Sequence, residues 1–179
     1  MGDRVYASIT FGGHIETVEE AEEFISSLGL EHIVESDRDK VVSSEDEAKA
    51  SLRYLIEHKS DVQYYDNECN YGTFDDLETM VAKIPGLGCS TQFDAGGGFD
   101  AGVKTIMPDG SEHSANYSRD GGATVSLSDL KQARNSDSIL VALDKLIADA
   151  ENAQGSKLPD LTVSPAVAAW LKIFAEKAA

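Results

Sequence analysis

The chain has 179 residues, 41% of them hydrophobic, enough for one substantial core with or without a small appendage. Its 32 acidic against 15 basic residues give a formal charge of −17, which repels nucleic acid and anionic membrane and attracts basic surfaces. No stretch approaches the roughly 18 apolar residues of a membrane span, and MGDRVYASITF lacks the basic flank and apolar run of a secretory signal, so the sequence predicts a cytoplasmic protein.

In chain order, Val5, Ala7, Ile9 and Phe11 alternate with Tyr6, Ser8 and Thr10, the period of a strand, which Gly12-Gly13 is expected to end. Thr17 precedes Glu20 by three, a capping-box spacing, and Val18, Ala21, Phe24, Ile25 and Leu28 then predict a helix ending at Gly29. Ser44 and Glu47 repeat that spacing before Ala48, Leu52, Leu55 and Ile56, a second helix through about His58. Val62 and Tyr64 open another strand, and Thr73 starts a third helix with Phe74, Leu77, Met80, Val81 and Ile84, closed by Pro85-Gly86.

The segments TVEEAEEFISSLGL (17–30) and TFDDLETMVAKIPGL (73–87) share the pattern threonine, apolar, two acids, apolar, Glu, then apolar pairs and a Gly-Leu ending, with one inserted proline, and each follows a predicted strand. They suggest a strand-helix unit used twice, although capping and the helical period alone force part of the match. The region from Cys89 to Ser126 reads as an antiparallel meander, with Gly96-Gly97-Gly98 as a hairpin tip flanked by Phe93 and Phe99. A phosphate loop is disfavoured there because Asp94 and Asp100 flank the glycines and no helix follows directly, and Asp94, Asp100, Asp109 and Asp120 fit no calcium-loop spacing. Beyond it, Ile139, Leu140, Leu143, Leu146 and Ile147 predict a helix from about Ser136 to Asn152. Ser164 and Pro165 open a last helix whose stripe holds Val167, Trp170, Leu171 and Phe174; core packing is the first use expected of it, and a homodimer contact through Trp170 and Phe174 the second. The expected fold is α+β: an antiparallel sheet with two repeated strand-helix units covering one face in residues 1–126, followed by C-terminal helices in 127–179 that pack on it or on a partner.

Chemistry is sparse. Cys69 and Cys89 make no zinc spacing and read as reduced, buried thiols; the four histidines fall singly; and no nucleophile elbow, zincin or phosphate-loop motif is present, so neither a metal nor a cofactor is expected. A Cys89 and His113 pair with an aspartate remains only a chance constellation.

The charge is uneven: 22 acidic against 7 basic residues in 1–100, and 10 against 8 in 101–179. Its candidate partner-binding residues are Glu19, Glu20, Glu22 and Glu23, then Glu45, Asp46 and Glu47, then Asp75, Asp76 and Glu78. The stretch VQYYDNECNYGTFDDLETMVAKIPGLGCSTQFDAGGGFDAGVKTIMPDG (62–110), with YASITFGG (6–13) upstream, resembles a group of small uncharacterised α/β proteins of bacterial phages, plasmids and mobile elements. The resemblance covers about half the chain; it implies a setting and carries no catalytic residue. With that setting, the acidity predicts a non-catalytic protein that binds and blocks a basic, nucleic-acid-binding host protein, its carboxylates standing in for phosphates, with no direct contact to nucleic acid or membrane. Acidity for solubility alone competes with this, as do a small enzyme or ligand binder around Asp94, Asp100 and Cys89 and a self-assembling accessory protein.

Overall fold

The alternation at the start of the chain builds the central strand β1 (Arg4–Ile15), whose odd-numbered Ala7, Ile9 and Phe11 are buried. The computed structural model describes residues 4–58, 62–96, 100–117, 123–155 and 157–175. After β1 come α1 (Val18–Leu30), β2 (Ile33–Glu35), β3 (Lys40–Val42), α2 (Glu45–His58), β4 (Gln63–Asn70), α3 (Asp75–Lys83) and β5 (Leu87–Phe93). The second half adds β6 (Gly102–Ile106), β7 (Glu112–Tyr117), β8 (Ala123–Thr124), α4 (Leu127–Arg134), α5 (Ile139–Gly155), β9 (Leu161–Val163) and α6 (Pro165–Ala175). The protein is α+β, with one sheet in the order β3-β2-β4-β1-β5-β6-β7-β8, antiparallel except where β9 runs parallel to the end of β1.

The connections explain the sequence repeat. β1 and β2 point the same way with β4 between them, and β4 and β5 point the same way with β1 between them. Hence β1-α1-β2 and β4-α3-β5 are two interleaved split-βαβ units, the connectivity called ferredoxin-like. Their helices lie side by side on one face of the sheet. The β3 and α2 segment is an insertion that lengthens one edge and lays a third helix beside α1, while β6 to β8 lengthen the other edge.

Local differences from the sequence pattern have physical causes. Gly12-Gly13 does not end β1, which pairs with β5 through Gly13. The glycines serve close approach instead: a Cβ at Gly12 would stand 2.2 Å from the Pro159 carbonyl oxygen, and one at Gly13 2.1 Å from that of Gly86. Thr17 forms the full capping box with Glu20, but Thr73 does not cap α3; its hydroxyl donates to the Asn70 carbonyl, and buried Phe74 takes the cap position. Between α1 and α2, the segment 33–42 forms a short hairpin of β2 and β3, with Asp39 in its turn at φ +49°. Gly97 to Phe99 of the expected hairpin tip lie outside the described residues.

Between sheet and helices, Phe24 of α1 meets Phe11 edge-on with centroids 5.0 Å apart, and full burial of such a ring contributes about 2 to 3 kcal/mol. A polar network is sealed into the same layer. The fully buried Glu35 accepts hydrogen bonds from Arg38 and from the Ser51 hydroxyl, and Ser51 in turn lies 2.8 Å from the Tyr64 hydroxyl. Burial alone would raise the Glu35 pKa, but the Arg38 and Ser51 hydrogen bonds outweigh it and hold the carboxyl below its ordinary value. The network ties β2, α2 and β4 together.

The other sheet face is covered differently. α5 packs on β7, closing a small second core of Val103 and Ala115 with Tyr117, Ala123 and Ala150. The chain then crosses the sheet at Gly12 and Gly88, where Leu158 and Pro159 fill the space that side chains would occupy, enters the sheet as β9, and returns to the first face as α6. Ser164 caps α6 by accepting from the Val167 N–H. No helix among the described residues is long and apolar enough to cross a membrane.

Candidate functional site

Helix α1 buries Ala21, Phe24, Ile25 and Leu28, so positions 19, 22 and 23, spaced by three and four, share the opposite side. α2 lies alongside, with Glu45 and Asp46 in its first turn. Together Glu19, Glu22, Glu23, Glu45 and Asp46 rim one groove of about 640 Å³, whose walls also include Ile25, Lys49 and Trp170. The Lys49 ammonium sits 3.7 Å from the Trp170 ring centroid, and its loss of solvent lowers its pKa despite the pull of Glu22, Asp46 and Glu45. Glu23 also accepts from Lys83 of α3 at 3.2 Å, an exposed pair of small energetic weight.

Three of the ten predicted carboxylates are occupied elsewhere. Glu20 turns back to accept from the Glu16 and Thr17 N–H groups, at 2.9 and 3.0 Å. Glu47 accepts from the Ser43 N–H and from the Ser43 and Ser44 hydroxyls, which lower its pKa. Glu78 is buried rather than presented at the surface: Lys104 donates to it at 2.6 Å and Thr91 at 3.2 Å. The helical period placed Glu78 outward, but α3 tucks that side over β5 and β6, where Lys104 supplies the compensating charge.

Asp75 and Asp76 stay exposed but belong to a different cluster. α1 and α3 run antiparallel, because β1 and β4 do, so the start of α3 lies by the end of α1. There Asp75 and Asp76 join Asp66, Glu68 and Glu31 around a hollow of about 240 Å³. Burial, then repulsion from Asp76, Asp66 and Asp75, raises the Glu31 pKa. Separated along a helix of 13 residues, the two acidic clusters stand roughly 20 Å apart. Glu31 and Asp66 were missed because one follows a helix and the other sits in a strand; the signal was the split-βαβ connectivity, which juxtaposes those ends.

Trp170 is partly buried against the main core, below Lys49, so it serves the packing of α6; the Phe174 side chain lies outside the described residues.

The glycine-rich region divides between the two faces. Tyr6, Ser8, Gln63, Gln92, Asp94, Asp100 and Tyr117 line a cavity of about 780 Å³ on the α5 side of the sheet, where Gln63 donates to the nearly buried Ser8 hydroxyl at 2.7 Å. Cys89 points to the other side, into the main core, where burial pushes its thiol up to about 12. His113 pairs across the sheet with Thr105 while Cys89 pairs with Ile106, so the two project from opposite faces and form no nucleophile and base. Cys69 and Cys89 are both buried free thiols; the Cys69 thiol donates to the Thr73 carbonyl, and burial pushes it too up to about 12. Among the described residues, no three His, Cys, Asp or Glu side chains are grouped to hold a metal ion.

Compared with known proteins, the chain matches no family model, no curated protein and no solved structure.

Proposed function

We propose that this is a non-catalytic, phage- or mobile-element-encoded binding protein that blocks a host nucleic-acid-handling protein, offering the carboxylates of the α1 and α2 groove to a basic cleft that otherwise takes phosphates. The observation that carries the reading is the convergence of Glu19, Glu22, Glu23, Glu45 and Asp46, from two helices, on one groove. Carboxylates fixed on helices cost little to organise on binding, and their field steers a basic partner toward them. The Asp66, Asp75 and Asp76 cluster adds a second negative pole for a partner that spans more than one helix length.

The test is capture from nuclease-treated host lysate, comparing the natural chain with Glu19→Lys, Glu22→Lys and Asp46→Lys combined. The expected result is a nucleic-acid-handling protein held at low salt, released at high salt and displaced by added nucleic acid, and lost with the triple variant. Capture that the triple variant leaves unchanged would sink the proposal.

A second reading, a small-ligand binder on the opposite sheet face, draws on the 780 Å³ cavity beside Asp94 and Asp100. It predicts the reverse pattern: Asp94→Asn and Asp100→Asn abolish function while the groove reversals leave it intact.

A further inference from the structure

The stripe of α5 predicts one buried side, but the sheet takes only part of it. Leu143 and Leu146 are turned partly inward, while Ile139, Leu140, Val141 and Ile147 stay in solvent. With Leu127 and Leu130 of the adjoining α4, Ile139, Leu140 and Ile147 make five large apolar side chains between 42% and 74% exposed, while Val141, about 100° round the helix from Leu140, projects off this side. At roughly 100 Å² each they amount to about 500 Å², in the upper part of the range a monomer leaves in water.

We infer that this helical face binds the same face of a second copy, giving a two-fold dimer. Charge selects the occupant. Two chains of −17 repel unless they meet where charge is least, and residues 127–155 carry five acidic against three basic side chains, interspersed. This face also lies across the sheet from the acidic groove, so pairing keeps the two grooves apart and open. Geometry agrees: Leu140 and Ile147 are two turns apart on one side of α5, so antiparallel packing about a two-fold sets each Leu140 against Ile147 of the second copy, the reciprocity an isologous contact requires. The apolar area, with its polar rim, approaches the roughly 800 Å² per partner of a stable interface.

The test is sedimentation velocity on the full chain from about 1 μM to about 1 mM, with Leu140→Glu, Ile147→Glu and Trp170→Ala compared. Expected is twice the 19.2 kDa chain mass, with a dissociation constant raised at least about 100-fold by either glutamate and unchanged by Trp170→Ala. Circular dichroism melts of the two glutamate variants should match the natural chain, since both side chains are exposed. Added salt should tighten the dimer by screening repulsion, the opposite of its effect on groove binding. A monomer across the whole range overturns the inference, and flotation with phosphatidylcholine vesicles would then assign the face to lipid. A dimer that survives both glutamate substitutions overturns it as well.

Discussion

Glu35→Ala should be among the most damaging single changes in the chain, because it strands a partly exposed cation and a buried hydroxyl together. Arg38 keeps its side chain about 31% exposed, so water recovers part of the lost ion pair and that loss is near 1 to 2 kcal/mol instead of the several expected at full burial. Ser51 and Tyr64 retain their mutual hydrogen bond, but one hydroxyl proton loses its acceptor in a site closed to water, adding about 1 kcal/mol or more. The total is about 3 kcal/mol, a large share of the roughly 5 to 15 kcal/mol that holds a domain together. Glu35→Gln keeps an acceptor and the volume, and should cost about 1 to 2 kcal/mol. Urea unfolding at pH 7 measures both as shifts of midpoint at unchanged slope. The pH dependence follows from the direction of the shift. A carboxyl with its folded pKa below the ordinary 4.5 contributes fully above 4.5 and loses that contribution as pH falls through the folded value. The gap between natural chain and Glu35→Gln should therefore close as pH drops below 4.5. A loss under about 1 kcal/mol for Glu35→Ala, or a gap that widens on acidification, would refute the reasoning.

Glu31→Gln should stabilise the protein at pH 7, since the raised pKa of Glu31 marks a penalty on its charged form; thermal melts should show the gain above the raised folded pKa and its disappearance below 4.5. Gly12→Ala forces the Leu158 and Pro159 backbone off the sheet at a cost of about 1 to 3 kcal/mol, seen as a melting point lower by roughly 2 to 12 °C and faster proteolysis around residue 158. Cys69 and Cys89 should react with a thiol reagent only on unfolding, and prompt modification of Cys89 in the native chain would contradict its burial.

How far the sequence specified these features depends on the range of the interaction that decides each one. The capping box at Thr17 and the stripes of α1, α2 and α3 are local, set by the 3.6-residue period and a cap three residues away, and they stood in the text of the chain. The pairing of β1 with β4, β5 and β9 is non-local, and it decides which acids meet. Glu19 and Glu22 were legible as one side of a helix; that Asp46 joins them while Asp75 does not depends on α2 being an insertion beside α1 and on α3 running against α1. Glu78 was misplaced because helical period reports only that a side differs from the core stripe, and here a lysine on a strand 26 residues away made burial of that carboxylate affordable.

The same distinction separates the two faces of the sheet by surface character. Charge that is costly to gather on one surface sits on α1, α2 and α3, where the split-βαβ frame and the Glu35 network fix helices against a deep core. Most of the exposed large apolar side chains among the described residues sit on α4 and α5, over a small core of Val103, Ala115 and their partly buried neighbours. A protein that recognised a partner through its charge and associated with itself through α5 would need these surfaces on opposite sides of the sheet, so that neither contact sterically or electrostatically opposes the other. Moving charge from one side to the other tests that division directly: Leu140→Glu should free the monomer without weakening groove capture, whereas Glu22→Lys should weaken capture and leave self-association intact or tighter, because it lowers the repulsion between copies. If one substitution abolished both at unchanged stability, the two surfaces would be one site and the division of labour wrong.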